Sequence, residues 1–137
     1  MRRKMQLSRP TLLAFNEYKG IVYGDKELDA TKSYILKIAL NDLLPLISST
    51  NSLDNLDLVN EIDWKKIAVS KISGVTDGKD TKTTRMPTTL TLDISVSNAL
   101  SKIQSDFLVV FDAKRVYINF VVKMIIFGAL LKRLGQL

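Results

Sequence analysis

The sequence contains neither cysteine nor histidine. A chain without cysteine has no disulfide framework, and one that also lacks histidine has neither the usual zinc ligands nor an imidazole for acid–base catalysis. Carboxylates alone could hold a metal ion, but no acidic cluster has the spacing of a calcium-binding loop. We therefore expect no metal site and no cofactor. The lack of cysteine is compatible with a cytoplasmic protein, which is the localisation we expect.

The patterns of a catalytic site are also missing. No nucleophile lies in a recognisable nucleophile–base motif, no glycine-rich loop is built to cradle phosphates, and no pair of carboxylates stands out. We expect neither an enzyme nor a protein with a small-molecule substrate.

A long hydrophobic run is the third missing feature. The longest apolar stretch, residues 116–131, contains Asn119 and Lys123, and it is shorter than the roughly 20 residues that cross a bilayer. No unbroken apolar segment follows the basic start of the chain, as a secretory signal would require. The stretch is therefore interpreted as a buried core helix, and a membrane is not an expected partner.

The composition is that of a folded protein. Of 137 residues, 46% are hydrophobic and 25% are charged, which is enough for one domain or two very small ones. The net charge of +6 is unevenly distributed, because Arg2, Arg3, Lys4 and Arg9 crowd the N-terminus. Such a basic arm is a candidate phosphate-binding element.

A strand followed by two helices is predicted near the C-terminus. Leu90, Leu92 and Ile94 alternate with polar residues, as in a half-buried strand, and Ser95 could cap the helix that follows. Apolar residues then recur at helical spacing from position 96 to 107, and a second helix is predicted over 113–134.

A diverged copy of this unit is predicted near the N-terminus. Met5 and Leu7 alternate with polar residues, Ser8 could cap a first helix, and Thr31 could cap a second that ends at Pro45. The strand and first helix match the later copy at an offset of 85 residues, and the second helix matches at 82. The predicted units are 1–46 and 88–137. They are joined by a linker, 47–87, with a short helix over 53–64 and a polar connector after it.

The segments TLTLDISVSNALSKI at 89–103 and TKSYILKIAL at 31–40 resemble the ribbon-helix-helix DNA-binding proteins. The resemblance implies a mainly α fold with a short β-ribbon, here a tandem ribbon-helix-helix chain that is pseudo-dimeric. One chain can then supply both strands of the ribbon, although pairing across chains is the alternative. The sequence departs from the family at Ala113-Lys114-Arg115, where a Gly-x-Ser-type turn is usual.

The resemblance also implies sequence-specific binding of double-stranded DNA, with the antiparallel ribbon in the major groove. By alternation, the side chains expected to face base edges are Lys4, Gln6, Ser8, Thr89, Thr91 and Asp93. Those expected to contact phosphates, from the basic arm and from the starts of the second helices, are Arg2, Arg3, Thr31, Lys32, Ser33, Lys114 and Arg115.

The expected role is that of a transcriptional repressor or an accessory factor of a plasmid or phage, with possible self-association on DNA. Three alternatives stay open on the sequence alone. The outward residues could simply face solvent on an ordinary edge strand. The Thr-Lys-Ser start could be an ordinary capped helix end. The apolar C-terminal helix could belong to a helical adaptor that docks a protein partner or a membrane surface.

Overall fold

The computed structural model of the protein describes residues 2–59, 61–75 and 86–137. Over these residues the chain is mainly helical, with one two-stranded antiparallel sheet. The elements in order are β1 (Arg2–Leu7), α1 (Arg9–Tyr23), α2 (Lys32–Ile47), α3 (Trp64–Ala68), β2 (Met86–Thr91), α4 (Ile94–Val110) and α5 (Ile118–Arg133). Residues 76–85 of the predicted polar connector lie outside the described residues.

The two strands pair with each other although 84 positions separate their first residues, Arg2 and Met86. The inner side of this ribbon packs on the helices, since Met5, Leu7, Leu90 and Leu92 are all at most 7% exposed. The burial predicted from the strand alternation is confirmed at these four positions. Ile94, which was predicted to continue that alternation in the second strand, instead begins α4 and is 69% exposed.

Helix α5 lies at the centre of the core. It contacts α1, α2, α3, α4 and β1, and its residues from Met124 to Leu131 are buried without interruption. A helix that is apolar around its whole circumference is stable in water only when other elements surround it. The prediction of a buried core helix is confirmed.

Local capping fixes where the first two long helices begin. As predicted, the Ser8 side chain caps α1, accepting a hydrogen bond from the backbone N–H of Thr11. Pro10 lies in the first turn of α1, where a missing N–H costs little. The Thr31 side chain accepts from the N–H of Tyr34 at the start of α2, as predicted. Gly24 ends α1 in the left-handed conformation that glycine adopts without strain.

Pro45 does not end α2. The helix runs two residues further, to Ile47, because Ile47 is fully buried. Proline has no N–H to donate to the carbonyl of Asn41, and both residues lie on the exposed side of the helix.

The helix predicted over 53–64 is also absent from the described residues of that range, of which only Trp64 is helical, as the first residue of α3. The segment instead runs back beside the end of α2. Ser48 pairs with Leu58, and the N–H of Val59 donates to the carbonyl of Ile47 at 2.9 Å. The Ser48 hydroxyl accepts a hydrogen bond from the backbone N–H of Asp57. In a helix this N–H would donate to a backbone carbonyl, so the serine side chain competes with helix formation.

The start of each C-terminal helix differs from the prediction. Helix α4 is preceded by Asp93 rather than Ser95, which lies inside the first turn, and the Asp93 side chain makes no capping hydrogen bond. Helix α5 begins at Ile118, five residues later than predicted. Asp112 adopts a left-handed conformation (φ 48°), and the Gln104 side chain donates to the carbonyl of Val116 at 2.7 Å. Together these features hold the connection in a non-helical path.

Candidate nucleic-acid interface

The outer face of the ribbon is a row of exposed polar and basic side chains. In the observed register Arg2 pairs with Thr91, Lys4 with Thr89 and Gln6 with Pro87. All six residues are exposed, and side chains two apart on a strand point to the same face. Neither strand contains an acidic residue. The outer face is therefore cationic along β1 and lined by threonine hydroxyls and methyls along β2.

Arg3 belongs to the opposite, inner face. It pairs across the ribbon with Leu90, and its guanidinium reaches α4. The Nε atom donates to the Ser97 hydroxyl at 2.9 Å, and Nη2 donates to the Ser101 hydroxyl at 2.8 Å. Arg3 was predicted to contact phosphate, but in the structure its side chain links β1 to α4 through these hydrogen bonds.

The first turn of α2 lies against the end of β2. The Ser33 hydroxyl accepts a hydrogen bond from the N–H of Thr91 at 3.1 Å. Lys32 is exposed and lines a surface groove with Thr31, Ser33 and the outer strand residues. The predicted group Thr31, Lys32 and Ser33 is therefore brought next to one end of the ribbon. The free N–H groups of a helix start favour an anion at such a place.

The first turn of α5 lies against the end of β1. Asn119 donates from Nδ2 to the carbonyl of Gln6 at 3.0 Å, and its Oδ1 accepts from the N–H of Phe120 at 2.9 Å. Lys114 and Arg115 are exposed in the connection just before this helix, with the Arg115 guanidinium 6.0 Å from the ring centre of Tyr117. The prediction that Lys114 and Arg115 form the start of this helix is wrong, because they precede its first residue by three to four positions.

Two of the predicted base contacts lie off the ribbon. Ser8 follows the last residue of β1, is half-buried and caps α1, so alternation along the strand does not apply to it. Asp93 follows β2, and its carboxylate forms an ion pair with Lys37 of α2 at 2.6 Å. The hydrogen bond from Lys37 holds the pKa of Asp93 below its ordinary value, while the same contact raises the pKa of Lys37.

The structure adds two residues to the outer face that were not predicted there. Arg2, predicted as a phosphate contact, shares the face with Lys4, and Pro87 enters because β2 begins at Met86, two residues before the predicted unit of 88–137. The signal for Arg2 was present in the sequence, since alternation continues back from Lys4. The signal for Pro87 was hidden, because proline lacks the N–H that a ladder uses and is tolerated only near the ends or edges of strands.

Other features of the described residues bear on the alternatives. The apolar residues of α5, on which an adaptor role would rest, are covered by the chain's own helices. Trp64 is 2% exposed and packs edge-on against Phe107, with ring centres 4.9 Å apart, so it is a packing residue. In the part of the chain that the structure describes, no helix has the length and apolarity to cross a bilayer. No cluster of acidic side chains in those ranges is arranged to hold a metal ion.

Comparison of the chain with protein-family models, with curated proteins and with solved structures gives no match. The functional interpretation therefore depends on the geometry of the ribbon and of the helix starts beside it.

Proposed function

We propose that this protein binds double-stranded DNA sequence-specifically, with the β1–β2 ribbon inserted in the major groove. The observation that carries the proposal is that the ribbon has one exposed polar face and one face buried against the helices. The exposed face presents Arg2, Lys4, Gln6, Thr89 and Thr91. The major groove is wide enough for a two-stranded ribbon. Lysine and arginine can donate to guanine, glutamine can pair with adenine, and threonine offers a methyl contact to thymine.

The proposal includes a tandem repeat with a pseudo-twofold axis through the ribbon. An offset of 85 residues relates position 4 to position 89, and in the register Lys4 pairs with Thr89 itself. The same offset relates the pair Arg2–Thr91 to the pair Pro87–Gln6, which is also present. It relates the first residue of α1, Arg9, to Ile94, the first residue of α4.

The second helices support the repeat at a corrected offset. Helices α2 and α5 each have 16 residues, and their starts at positions 32 and 118 differ by 86 rather than 82. At this offset Ser33 corresponds to Asn119, the two residues that hydrogen-bond to the strands. Their strand partners, Thr91 and Gln6, correspond at the offset of 85. The two helix starts therefore hold equivalent points of the ribbon.

The helix starts suit phosphate contacts on both sides of the groove. Lys32 stands at the Thr91 end, and Lys114 and Arg115 precede the helix at the Gln6 end. Such contacts fix the register of a protein on the duplex and add affinity that does not depend on sequence. A protein with these properties would serve as a transcriptional repressor or as an accessory factor of a plasmid or phage.

The first test is the salt dependence of binding to a duplex selected from a random pool. Three cations of the proposed interface are placed to contact phosphates, namely Lys32, Lys114 and Arg115. If each neutralises one phosphate, log K falls with log salt with a slope of about −2.7, so affinity drops roughly 40-fold between 50 and 200 mM salt. Fluorescence anisotropy of a labelled duplex measures this slope. A slope near zero, or no binding to duplex DNA, contradicts the proposal.

The second test is the double substitution Lys4→Ala with Gln6→Ala. It removes two base-reading side chains and is expected to lower the preference for the selected duplex over an unrelated one by about tenfold or more. The matched control is Lys65→Ala, which removes one exposed positive charge on α3 and is expected to leave the preference unchanged. If the double variant keeps the full preference for the selected duplex, the ribbon does not read the DNA sequence and the proposal is wrong.

A further inference from the structure

The two ends of the ribbon's outer face carry different chemistry. At one end Arg2 pairs with Thr91, and at the other Gln6 pairs with Pro87. The pseudo-twofold axis through the Lys4–Thr89 pair relates Arg2 to Pro87 and Gln6 to Thr91. Two strands that occupy equivalent places in the fold thus present unlike side chains at equivalent points.

The difference is largest between Arg2 and Pro87. A guanidinium carries five N–H donors in a fixed planar arrangement, whereas proline has no donor at all. Glutamine carries both an amide donor and an acceptor, whereas threonine at the equivalent point has a short hydroxyl and a methyl. Turning the ribbon end for end in the groove would therefore replace a strong guanine-reading group by a group that reads nothing.

The phosphate-directed groups differ less between the ends. Each second helix begins beside a strand end, with Lys32 on one side and Lys114 and Arg115 on the other. Both ends therefore attract a phosphate backbone, and this attraction carries no sequence information. It contributes to affinity in either orientation, so a preference for one orientation has to come from the ribbon face.

We infer that the protein binds DNA in a single orientation on a non-palindromic site, with Arg2 reading a guanine at one end and Gln6 an adenine at the other. Four residues along a strand span about 14 Å, which corresponds to about four base pairs of duplex. Arg2, predicted from the basic N-terminal arm to contact phosphate, is a specificity-determining residue in this arrangement. The inference rests on the proposed DNA binding and deepens it.

The absence of cysteine makes the orientation directly measurable, because a single introduced cysteine is the only labelling site. Tyr34→Cys places a label near the Arg2 end, and Tyr117→Cys places one near the Gln6 end. Both tyrosines are exposed, at 55% and 64%, and neither belongs to the proposed DNA contacts. An iron chelate attached to each cysteine cleaves the DNA nearby, and the cleaved positions are mapped on a duplex selected from a random pool by the unlabelled protein.

Single-orientation binding predicts that each label cleaves on one side of the site's centre and that the two labels cleave on opposite sides. Arg2→Ala is expected to lower affinity for the selected duplex about tenfold and to bring cleavage on the two sides closer to equal, while Lys65→Ala leaves the one-sided pattern intact. Selection is expected to yield a consensus without twofold symmetry.

Failure of the inference and failure of the proposed function give different results. Duplex binding with equal cleavage on both sides from each label, or a palindromic consensus, overturns the single orientation and leaves DNA binding standing. One-sided cleavage that Arg2→Ala does not alter removes Arg2 as its cause. No binding of the unlabelled protein to any duplex in the pool overturns both.

Discussion

Asp42→Asn is expected to lower the free energy of unfolding by about 1 to 2 kcal/mol at pH 7. The Asp42 carboxylate on α2 accepts from Arg133 on α5, at 2.8 Å from Nε and 3.0 Å from Nη2, and from the Tyr18 hydroxyl on α1. One side chain thus joins three helices. Hydrogen bonds to charged groups contribute about 1.5–3 kcal/mol. Solvent screening makes the contribution smaller here, because the Arg133 and Asp42 side chains are 40% and 21% exposed.

The effect has a defined pH dependence. Burial alone would raise the pKa of Asp42, but the hydrogen bonds from Arg133 and Tyr18 bring it below its ordinary value. A carboxyl whose pKa is lower in the folded state contributes stability that is complete above the unfolded pKa of about 3.9. That contribution is lost as pH falls through the folded pKa. The difference in the free energy of unfolding between the wild type and Asp42→Asn is therefore expected to become smaller as the pH falls below about 4.

Urea unfolding, followed by the fluorescence of the single buried tryptophan, Trp64, measures both effects. The matched control is Glu27→Gln, which makes the same change of charge at an exposed position and is expected to unfold at the wild-type midpoint. Equal stability of Asp42→Asn and the wild type at pH 7 would refute the reasoning. So would a difference that stays constant down to pH 2.

Two further substitutions test the placement of single residues. Ser8→Ala removes the cap of α1 and is expected to lower the free energy of unfolding, measured in urea, by about 1 kcal/mol. The folded variant is expected to keep its DNA sequence preference. Loss of that preference with unchanged stability would show that Ser8 contacts DNA. Gly128→Ala is expected to stabilise the protein by up to about 1 kcal/mol, because alanine favours the helix and its Cβ would lie 3.4 Å from the nearest side-chain atoms, those of Ile67 and Leu43. A lowered melting temperature would show that the contact is too tight.

The elements with strict periodicity were predictable from the sequence. Met5 and Leu7 alternate as a strand, Ser8 and Thr31 are typical helix caps, and the helical spacing of α1 and α4 follows from apolar residues that are buried in the structure. These signals are local, because each depends on residues within a turn or two of one another. The pairing of β1 with β2 was predicted only through the resemblance of the sequence to the ribbon-helix-helix proteins.

The failures lie where tertiary contacts outweigh local preference. The spacing of Leu56, Val59 and Ile62 favours a helix, yet the segment lies along the end of α2 with Leu56 and Ile62 buried. The start of α5 was misplaced because the residues before Ile118 are also apolar or basic, and no capping residue marks the boundary. At the interface, the same cause hid the contact of Asn119 with β1, since only the correct helix start brings that residue to the strand.

A ribbon closed within one polypeptide keeps its form on dilution. When two separate chains each contribute a strand, the fraction of paired strands falls as the protein becomes scarce, because assembly depends on protomer concentration. Here β1 and β2 belong to the same molecule, so the number of complete ribbons is proportional to the number of molecules at any concentration. If the protein binds duplex DNA as proposed, occupancy of a site rises in direct proportion to the concentration of scarce protein, without the threshold that a dimerisation step imposes.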